Sequence, residues 1–540
     1  MPASTSSRAS PASDAPPRGR GPAVALALAA AALSAAAIWF CLARGFTLYY
    51  GDAQAHLAIA RRLTDSRTPG YGQIGTVWLP LPHLLMAPAA THDAWWRNGL
   101  AGALPNAAAF VLAVLFFYRA ASALAETRWA GLAAAALFAL NPNVLYLQSI
   151  PMTEMLFAAC LAGAWCCCVL FARRPSLGYA AGAGLAALAG TLTRYEGWFL
   201  LPFAALYLLL AGGGRRWQAA SLFAAIAALG PLFWLAHNAY YFGDWLEFYR
   251  GPYSARAIQG AASYPGFHNW RQAWLQYSSA VRECAGAPLL ALAAVGLALQ
   301  LTAPRRLPRR VGPLLLLAVV PAFYLWSLHS GGTPVFVPGR WPHSYYNTRY
   351  GLAAMPLLAA AAALGVARLP ARWRAGGCGL LALAAASPWL LRPSPEAWIT
   401  WKESQVNSET RRAWTADAAA WLRRHYRPGT GIFTTFGDVT GVFREAGVPL
   451  RETLTWDHQP YWQAAIQRPD LFLREEWAVA FAGDPVHVCL RKAWPTGPRY
   501  TLRKRIAIPN APALEIYRRD RAPAFLRPPP PTRKGNGDAR

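Results

Sequence analysis

Long apolar segments recur through the first 391 residues and constrain the fold more than any other feature. A stretch of about 20 apolar residues forms a helix that can cross the ~30 Å hydrocarbon core of a bilayer. Of the 540 residues, 55% are hydrophobic and 14% are charged, whereas roughly a quarter of a soluble protein is charged. We therefore predict a polytopic α-helical membrane protein with about 11 transmembrane helices. The predicted spans are residues 22–43, 97–118, 129–146, 154–172, 177–193, 198–211, 217–237, 285–303, 311–328, 348–367 and 376–391.

Arginines occupy alternate loops between the predicted spans. They are Arg18, Arg20, Arg119, Arg128, Arg173, Arg174, Arg215, Arg216, Arg305, Arg306, Arg309, Arg310, Arg368, Arg372 and Arg374. Because arginine-rich loops stay in the cytoplasm, the N-terminus is predicted to be cytoplasmic, and an odd number of spans places the C-terminal segment outside. The net charge of +27 is then mainly a signature of topology. No nucleic-acid recognition motif accompanies it, so nucleic acid is not expected as a partner.

The composition divides the chain into four parts. Residues 1–20 are predicted to be a disordered cytoplasmic tail, and residues 21–391 the transmembrane domain. Residues 392–520 are predicted to form a small extracytoplasmic α/β domain, and residues 521–540 a disordered basic, proline-rich tail. The predicted elements of the α/β domain are an amphipathic helix at Ser408–Tyr426 and strands at Gly431–Phe436, Trp477–Phe481, Leu502–Ile508 and Leu514–Tyr517. Three outer loops are long enough to build a site: 44–97, 238–284 and 329–347.

Asp52 lies just beyond the outer end of the first predicted span. Asp52 and His56 are four residues apart, so they share one face of a helix. A carboxylate at a membrane edge can act as a general base or ligate a cation. The structural alternative, that Asp52 only caps the helix that follows Gly51, has about equal weight from this segment alone.

Further ionic residues are predicted at the same depth. Glu154 stands at the outer end of the fourth span, Arg194 and Glu196 join the fifth and sixth, and Arg349 with Tyr350 opens the tenth. Each has a structural alternative: Glu154 as a first-turn helix acid, Arg194 and Glu196 as a pair that caps a tight connection, and Arg349 as a snorkelling side chain. Charged residues at a membrane boundary are costly and mark function. Their common depth favours one shared site.

The order of these motifs resembles the GT-C glycosyltransferases, and within them the bacterial protein-mannosyltransferase and aminoarabinose-transferase relatives. The resemblance covers roughly residues 22–391 and depends on an Asp past the first span, Thr153-Glu154, the turn Thr193–Gly197 and Arg349-Tyr350. It implies a GT-C-like fold. It also implies an enzyme of the bacterial inner (plasma) membrane.

The resemblance implies an inverting transfer of a sugar, a hexose or pentose, from a polyprenyl-phosphate carrier to an acceptor hydroxyl at the outer face. Asp52 would be the general base. Arg349 and Arg194 would hold the lipid phosphate, while His56, Glu154, Glu196 and Tyr350 would bind or orient the substrate. Asp52 is followed by Ala53 rather than by a second acid. The acceptor therefore stays open between glycan, lipid and protein.

Two alternatives remain open at this level. Asp52, His56 and Glu154 leave open a divalent metal, and no other cofactor is expected. A lipid or solute transporter is the alternative function. Transporters usually carry ionic groups at the midplane of broken helices within repeated halves, and here the span interiors are almost free of charge and no repeat is visible.

Overall fold

The computed structural model describes residues 21–260, 263–302, 307–435, 437, 439–492 and 497–521. The predicted tail at 1–20 lies outside these residues, as do Arg305, Arg306 and the predicted tail at 521–540 except Arg521. The chain divides into two compact units. Unit 1 contains the segments up to Leu57 and from Thr76 to Asn407, and unit 2 contains Ala58–Gly75 and the segment from Ser408 onward.

Unit 1 is helical. Its helices, two of which (α2 and α19) continue into unit 2, are α1 (Gly21–Ala43), α2 (Gly51–Arg62), α3 (Pro80–Ala90), α4 (Asp93–Asn98), α5 (Leu100–Ala125), α6 (Arg128–Ala139), α7 (Pro142–Gln148), α8 (Glu154–Arg173), α9 (Leu177–Thr191), α10 (Glu196–Ala211), α11 (Arg216–Phe242), α12 (Glu247–Arg250), α13 (Ala255–Gln259), α14 (Trp270–Ala285), α15 (Ala287–Leu301), α16 (Leu307–His329), α17 (Met355–Leu364), α18 (Arg374–Leu390) and α19 (Ile399–His425). A 3₁₀ segment at Thr348–Ala354 precedes α17.

The predicted membrane-protein class is confirmed. In the described part of the chain, six helical segments are long and apolar enough to cross a bilayer, or eight if each bent pair counts as one span. The six are Gly21–Ala43, Leu100–Ala125, Glu154–Arg173, Gly213–Phe242, Arg310–His329 and Thr348–Arg368. Each coincides with one of the predicted spans.

The predicted count of eleven spans is not confirmed, because several apolar segments are short or bent. Helices α9 and α10 have 15 and 16 residues, which at 1.5 Å per residue fall short of the ~30 Å core. Helices α6 and α7 meet at 68°, and α14 and α15 meet at 101°. At the first bend, the Asn141 side chain accepts the Asn143 and Val144 N–H groups and starts a new helix.

Small residues allow the helices of unit 1 to approach closely. Gly184 of α9 faces Ile226 of α11, and a Cβ on Gly184 would lie 3.0 Å from the Ile226 Cβ. Gly163 of α8 similarly faces Phe116 of α5. Apolar lipid offers helices no hydrophobic gain from association, so close van der Waals packing between small residues holds such bundles together. This packing fixes α8, whose first residue is Glu154.

Unit 2 contains a five-stranded sheet with helices. Its elements beyond α19 are β1 (Ile432–Thr434), α20 (Thr440–Ala446), β2 (Thr453–Leu454), α21 (Tyr461–Gln467), α22 (Pro469–Phe472), β3 (Trp477–Phe481), α23 (Pro485–Arg491), β4 (Arg499–Ile506) and β5 (Leu514–Arg521). The strand order is β2-β1-β3-β5-β4. Strand β1 is parallel to β2 and β3, and β5 is antiparallel to β3 and β4.

The four predicted strands are present with shifted ends, except that β3 occupies the predicted residues. Strand β2 was not predicted, because its two residues are too few to show an alternating pattern. Phe436, the end of the first predicted strand, lies outside the described residues.

The segment Ala58–Gly75 belongs to unit 2 and is fixed there by buried polar contacts. The Asp65 carboxylate accepts from Arg61 Nε at 2.9 Å and from Arg451 Nη1 at 3.1 Å. Ser66 Oγ and His458 Nε2 are 2.9 Å apart, and the Thr455 N–H donates to His458 Nδ1. Asp65, eight residues after the end of unit 1's first segment, is therefore held in a polar core of unit 2.

We expect Gly296→Ala to destabilise unit 1. A Cβ at this position in α15 would overlap the carbonyl oxygen of Ala361 in α17 and lie 3.0 Å from the Ala362 Cα. Backbone atoms cannot rotate away, and overpacking of this kind costs about 1–3 kcal/mol. The thermal unfolding midpoint in detergent should fall. Gly376→Ala, in α18 with nothing within 4 Å, is the matched control, and equal midpoints for the two variants would contradict the packing described.

We expect His458 to make the stability of unit 2 depend on pH. Burial lowers its pKa from 6.5 to about 4. Between these values the unfolded chain binds a proton that the folded chain does not. The stabilisation is therefore complete above pH 6.5 and is lost as the pH falls toward 4, a change of about 3 kcal/mol.

Hydrogen exchange of the amides of β1 and β3 measures this effect. Wild type should be more protected than His458→Gln at pH 7, and the difference should shrink toward pH 4.5. The exposed His425 supplies the control His425→Gln, which should follow wild type throughout. If the difference in protection between wild type and His458→Gln is the same at every pH, His458 is not the source of the pH dependence.

Candidate active site

The site is centred on the Arg349 guanidinium, which is surrounded by three carboxylates. Its Nε donates to Glu154 Oε1 at 3.1 Å, its Nη1 donates to Glu403 Oε1 at 3.2 Å, and its Nη2 donates to Asp52. The Arg349 side chain is only 7% exposed. Residues distant in the sequence thus meet on one buried cation, all within unit 1.

Arg194 is the second cation of the site. Its Nε donates to Glu196 Oε1 at 2.9 Å, and its Nη1 lies 3.3 Å from Glu154 Oε1. Nη1 also donates to Thr153 and Nη2 to the Tyr324 hydroxyl. Glu154 is therefore shared by both arginines and sets the distance between them.

Aromatic rings enclose the two guanidinium groups. The Tyr350 ring lies under both, with its centroid 5.6 Å from Arg194 Cζ and 5.2 Å from Arg349 Cζ. The Tyr50 ring lies 4.8 Å from Arg349 Cζ. An aromatic face attracts a cation while excluding water, so these rings fix the orientation of the arginines.

The predicted site residues lie together except for His56, which contacts other residues. Asp52, Glu154, Arg194, Glu196, Arg349 and Tyr350 form one cluster. His56 shares helix α2 with Asp52, as predicted, but its Nδ1 lies 2.9 Å from His83 Nε2 and its ring packs on Trp78. Burial lowers the pKa of His56 to about 4, so this imidazole is neutral at neutral pH.

Glu403 is the residue of the cluster that sequence reasoning missed. It lies in the first turns of α19, and its side chain is 2% exposed. Burial raises the pKa of Glu403, and the Arg349 charge opposes that rise. No motif marks the residue. The one local indication of a role for Glu403 is that this acid follows Trp401 closely, because tryptophan is typical of membrane interfaces.

The cluster carries more negative than positive groups. Its carboxylates are Asp52, Glu154, Glu196 and Glu403, and its cations are Arg194 and Arg349, so the fully ionised cluster has an excess of two negative charges. The Asp52 side chain is 42% exposed, whereas those of Glu154, Glu196 and Glu403 are 13%, 5% and 2% exposed. Asp52 is therefore the acid that a competing anion displaces at least cost.

A cavity of about 50 Å³ opens beside both arginines. The polar lining residues are Glu154, Arg194, Tyr324, Arg349 and Tyr350, and the apolar ones are Phe138, Val144, Leu147, Met155, Phe157, Ala158, Leu161, Val320, Leu352, Ala353 and Pro356. Charged groups in the lining of an apolar cavity suit a ligand that combines an anionic group with an apolar chain.

The described residues contain no group of three or more His, Cys, Asp or Glu arranged to hold a metal ion. Asp52 and Glu154, which the sequence left open as metal ligands together with His56, accept from Arg349, and His56 Nδ1 lies 2.9 Å from His83 Nε2.

Part of the sequence matches a known protein family, and the fold matches a solved structure. Residues 96–241 match the family model described as dolichyl-phosphate-mannose-protein mannosyltransferase. No curated protein matches the chain. Its structure is similar to that of ArnT from Cupriavidus metallidurans bound to undecaprenyl phosphate, with a TM-score of 0.54 and 16% identity over 92% of this chain and 98% of that one. Apo ArnT from the same organism gives a TM-score of 0.48 with 15% identity, over 88% of this chain and 94% of that one.

The mannosyltransferase family model and the fold of ArnT with undecaprenyl phosphate bound confirm the predicted resemblance to the GT-C membrane glycosyltransferases. The fold is shared with ArnT along almost the whole chain. The mannosyltransferase model covers the segment that contains Glu154, Arg194 and Glu196.

We expect Arg349→Gln to destabilise the protein strongly. The substitution removes the charge that compensates Asp52, Glu154 and Glu403, and an uncompensated buried charge costs about 3–5 kcal/mol. Thermal unfolding in detergent measures the change. The control is Arg173→Gln. It removes an exposed ion pair in which Arg173 Nη2 lies 3.7 Å from Glu126 Oε1, and it should cost about 0–1 kcal/mol. Similar midpoints for the two variants would show that the carboxylates do not depend on Arg349.

Proposed function

We propose that the protein is a glycosyltransferase that moves a sugar from a polyprenyl-phosphate carrier to an acceptor hydroxyl, with inversion, at the outer face of the bacterial inner membrane. The observation that carries the proposal is the pairing of Arg349 with the half-exposed Asp52 beside an apolar cavity. This arrangement places a phosphate-binding group and a base beside an apolar cavity.

Arg349 and Arg194 bind the phosphate of the donor. A guanidinium presents paired N–H donors that match phosphate oxygens, and both guanidinium groups border the cavity. Nε, Nη1 and Nη2 of both guanidinium groups already donate to protein groups, so an incoming phosphate competes with these contacts. Asp52 is the most exposed of the four acids and leaves most readily.

Asp52 then acts as the general base. The acceptor oxygen attacks the anomeric carbon, and its proton passes to the Asp52 carboxylate. The bond from the anomeric carbon to the phosphate oxygen breaks, and polyprenyl phosphate leaves with the electron pair. Arg349 and Arg194 stabilise the charge that develops on this leaving group, which a site shielded from water makes more effective.

The identity of the donor is supported by the comparisons. ArnT, whose fold this chain shares, has undecaprenyl phosphate bound in its crystal structure, and the family model that matches residues 96–241 is named for a lipid-phosphate mannose donor. The transferred group is thus proposed to be a hexose or pentose.

The outer location is supported by the ends of the helices. Helix α8 begins at Glu154 in the site and ends at Arg173, next to Arg174. The segment that begins with Thr348 and Arg349 likewise ends at Arg368. Because arginine-rich ends stay in the cytoplasm, the opposite ends, which carry Glu154 and Arg349 into the site, are proposed to face outward.

We expect Asp52→Asn to remove activity without removing the fold. General-base catalysis contributes roughly 10²–10⁴-fold, so release of free polyprenyl phosphate from a polyprenyl-phosphate sugar should fall at least about 100-fold. The assay uses purified protein with and without EDTA, and loss of activity in EDTA would indicate a divalent metal.

The control is Asp244→Asn, a partly exposed acid 3.8 Å from Arg250, which should release the carrier as wild type does. Turnover of Asp52→Asn at the wild-type rate would refute the assigned base. Failure of wild type to release the carrier from any sugar donor, with acceptors supplied, would refute the transferase and favour transport.

A further inference from the structure

Glu403 binds the segment that carries Arg349 at several points. One carboxylate oxygen, Oε1, accepts the Asn347 N–H at 2.9 Å and Arg349 Nη1 at 3.2 Å. The other, Oε2, accepts the Arg349 N–H at 3.1 Å and the Thr348 hydroxyl. Glu403 therefore holds both the backbone and the guanidinium of Arg349.

The backbone contacts determine where Arg349 points. Asn347 has a left-handed conformation, with φ of +53°, immediately before the 3₁₀ segment Thr348–Ala354. The first N–H groups of a helical segment have no partner within the segment, and Glu403 accepts those of Asn347 and Arg349. Its carboxylate thus fixes the turn from which the Arg349 side chain leaves the chain.

Glu403 is itself held rigidly by neighbouring contacts. The Thr400 N–H donates to Asn143 Oδ1 at 3.1 Å, and the Tyr50 hydroxyl donates to the Thr400 carbonyl at 2.8 Å. Ser404 Oγ lies 2.8 Å from the Tyr146 hydroxyl. The first turns of α19 are therefore attached both to α7 and to the segment that precedes Asp52.

We propose that Glu403 is a positioning residue for the donor phosphate, which keeps Arg349 oriented while the phosphate takes the place of Asp52. The inference depends on the proposed function. Asp52 and Glu403 bind opposite terminal nitrogens, Nη2 and Nη1, of one guanidinium. When Asp52 leaves, Glu403 retains Nη1 and presents Nη2 to the phosphate.

The test is a double-mutant cycle on lipid binding. The probe is undecaprenyl phosphate, and its affinity for the full-length protein in nanodiscs is measured for wild type, Glu403→Gln, Arg349→Lys and the double variant. Loss of a charge-assisted contact should weaken binding about 10-fold in Glu403→Gln. In the Arg349→Lys background the same substitution should change affinity less than about twofold, because Glu403 acts through Arg349.

The matched control is Glu396→Gln. It removes a carboxylate seven residues away, in an exposed pair with Lys402 Nζ at 2.5 Å, and should bind the lipid as wild type does. If Glu403→Gln does not fold, the cycle is run with Glu403→Asp, which keeps the charge but withdraws it from the guanidinium.

The outcomes separate the two proposals. If Arg349→Lys weakens binding and Glu403→Gln does not, or if Glu403→Gln has the same effect in both backgrounds, Glu403 does not position Arg349 and the donor site stands. If wild type does not bind the lipid, or if Arg349→Lys binds it equally well, the proposed donor site is wrong and the inference about Glu403 falls with it.

Discussion

The buried guanidinium of Arg349 is the interaction on which the candidate site depends. A single cation holds Asp52 from the start of α2, Glu154 from the start of α8 and Glu403 from the start of α19. Burying such a charge is costly unless it is paired and hydrogen-bonded, so its partners must arrive together. The meeting of these segments is thus a requirement of electrostatics as well as of packing.

The composition of the cluster favours chemistry over stability. Four acids share two arginines, and a protein selected only for stability would balance these charges or replace them with apolar groups. The excess acid is not distributed evenly, since Asp52 is far more exposed than the other three. Asp52, the least buried acid of the cluster, is therefore the one that a substrate can reach.

Much of this arrangement was predictable from the sequence, because hydrophobicity and the side of the membrane are local signals. Apolar length predicted the helices, and arginine placement put Asp52, Glu154 and Arg349 at one depth. The number of spans was not predictable in this way, since it depends on where Asn141 starts a new helix and on how α9 and α10 pack. Glu403 was missed because its burial arises from the contact of α19 with residues 347–349, which leaves no local pattern.

Under the proposed mechanism, the pairing of Asp52 with Arg349 has a consequence for the order in which the substrates bind. While Asp52 Oδ2 accepts from Arg349 Nη2, that oxygen is directed at the guanidinium and not at an acceptor hydroxyl. Arrival of the anionic donor releases the base, so the catalyst is assembled by its own substrate. An acceptor that arrives first finds Asp52 still bound to Arg349, so the proposed order of binding is the lipid-linked sugar first and the acceptor second.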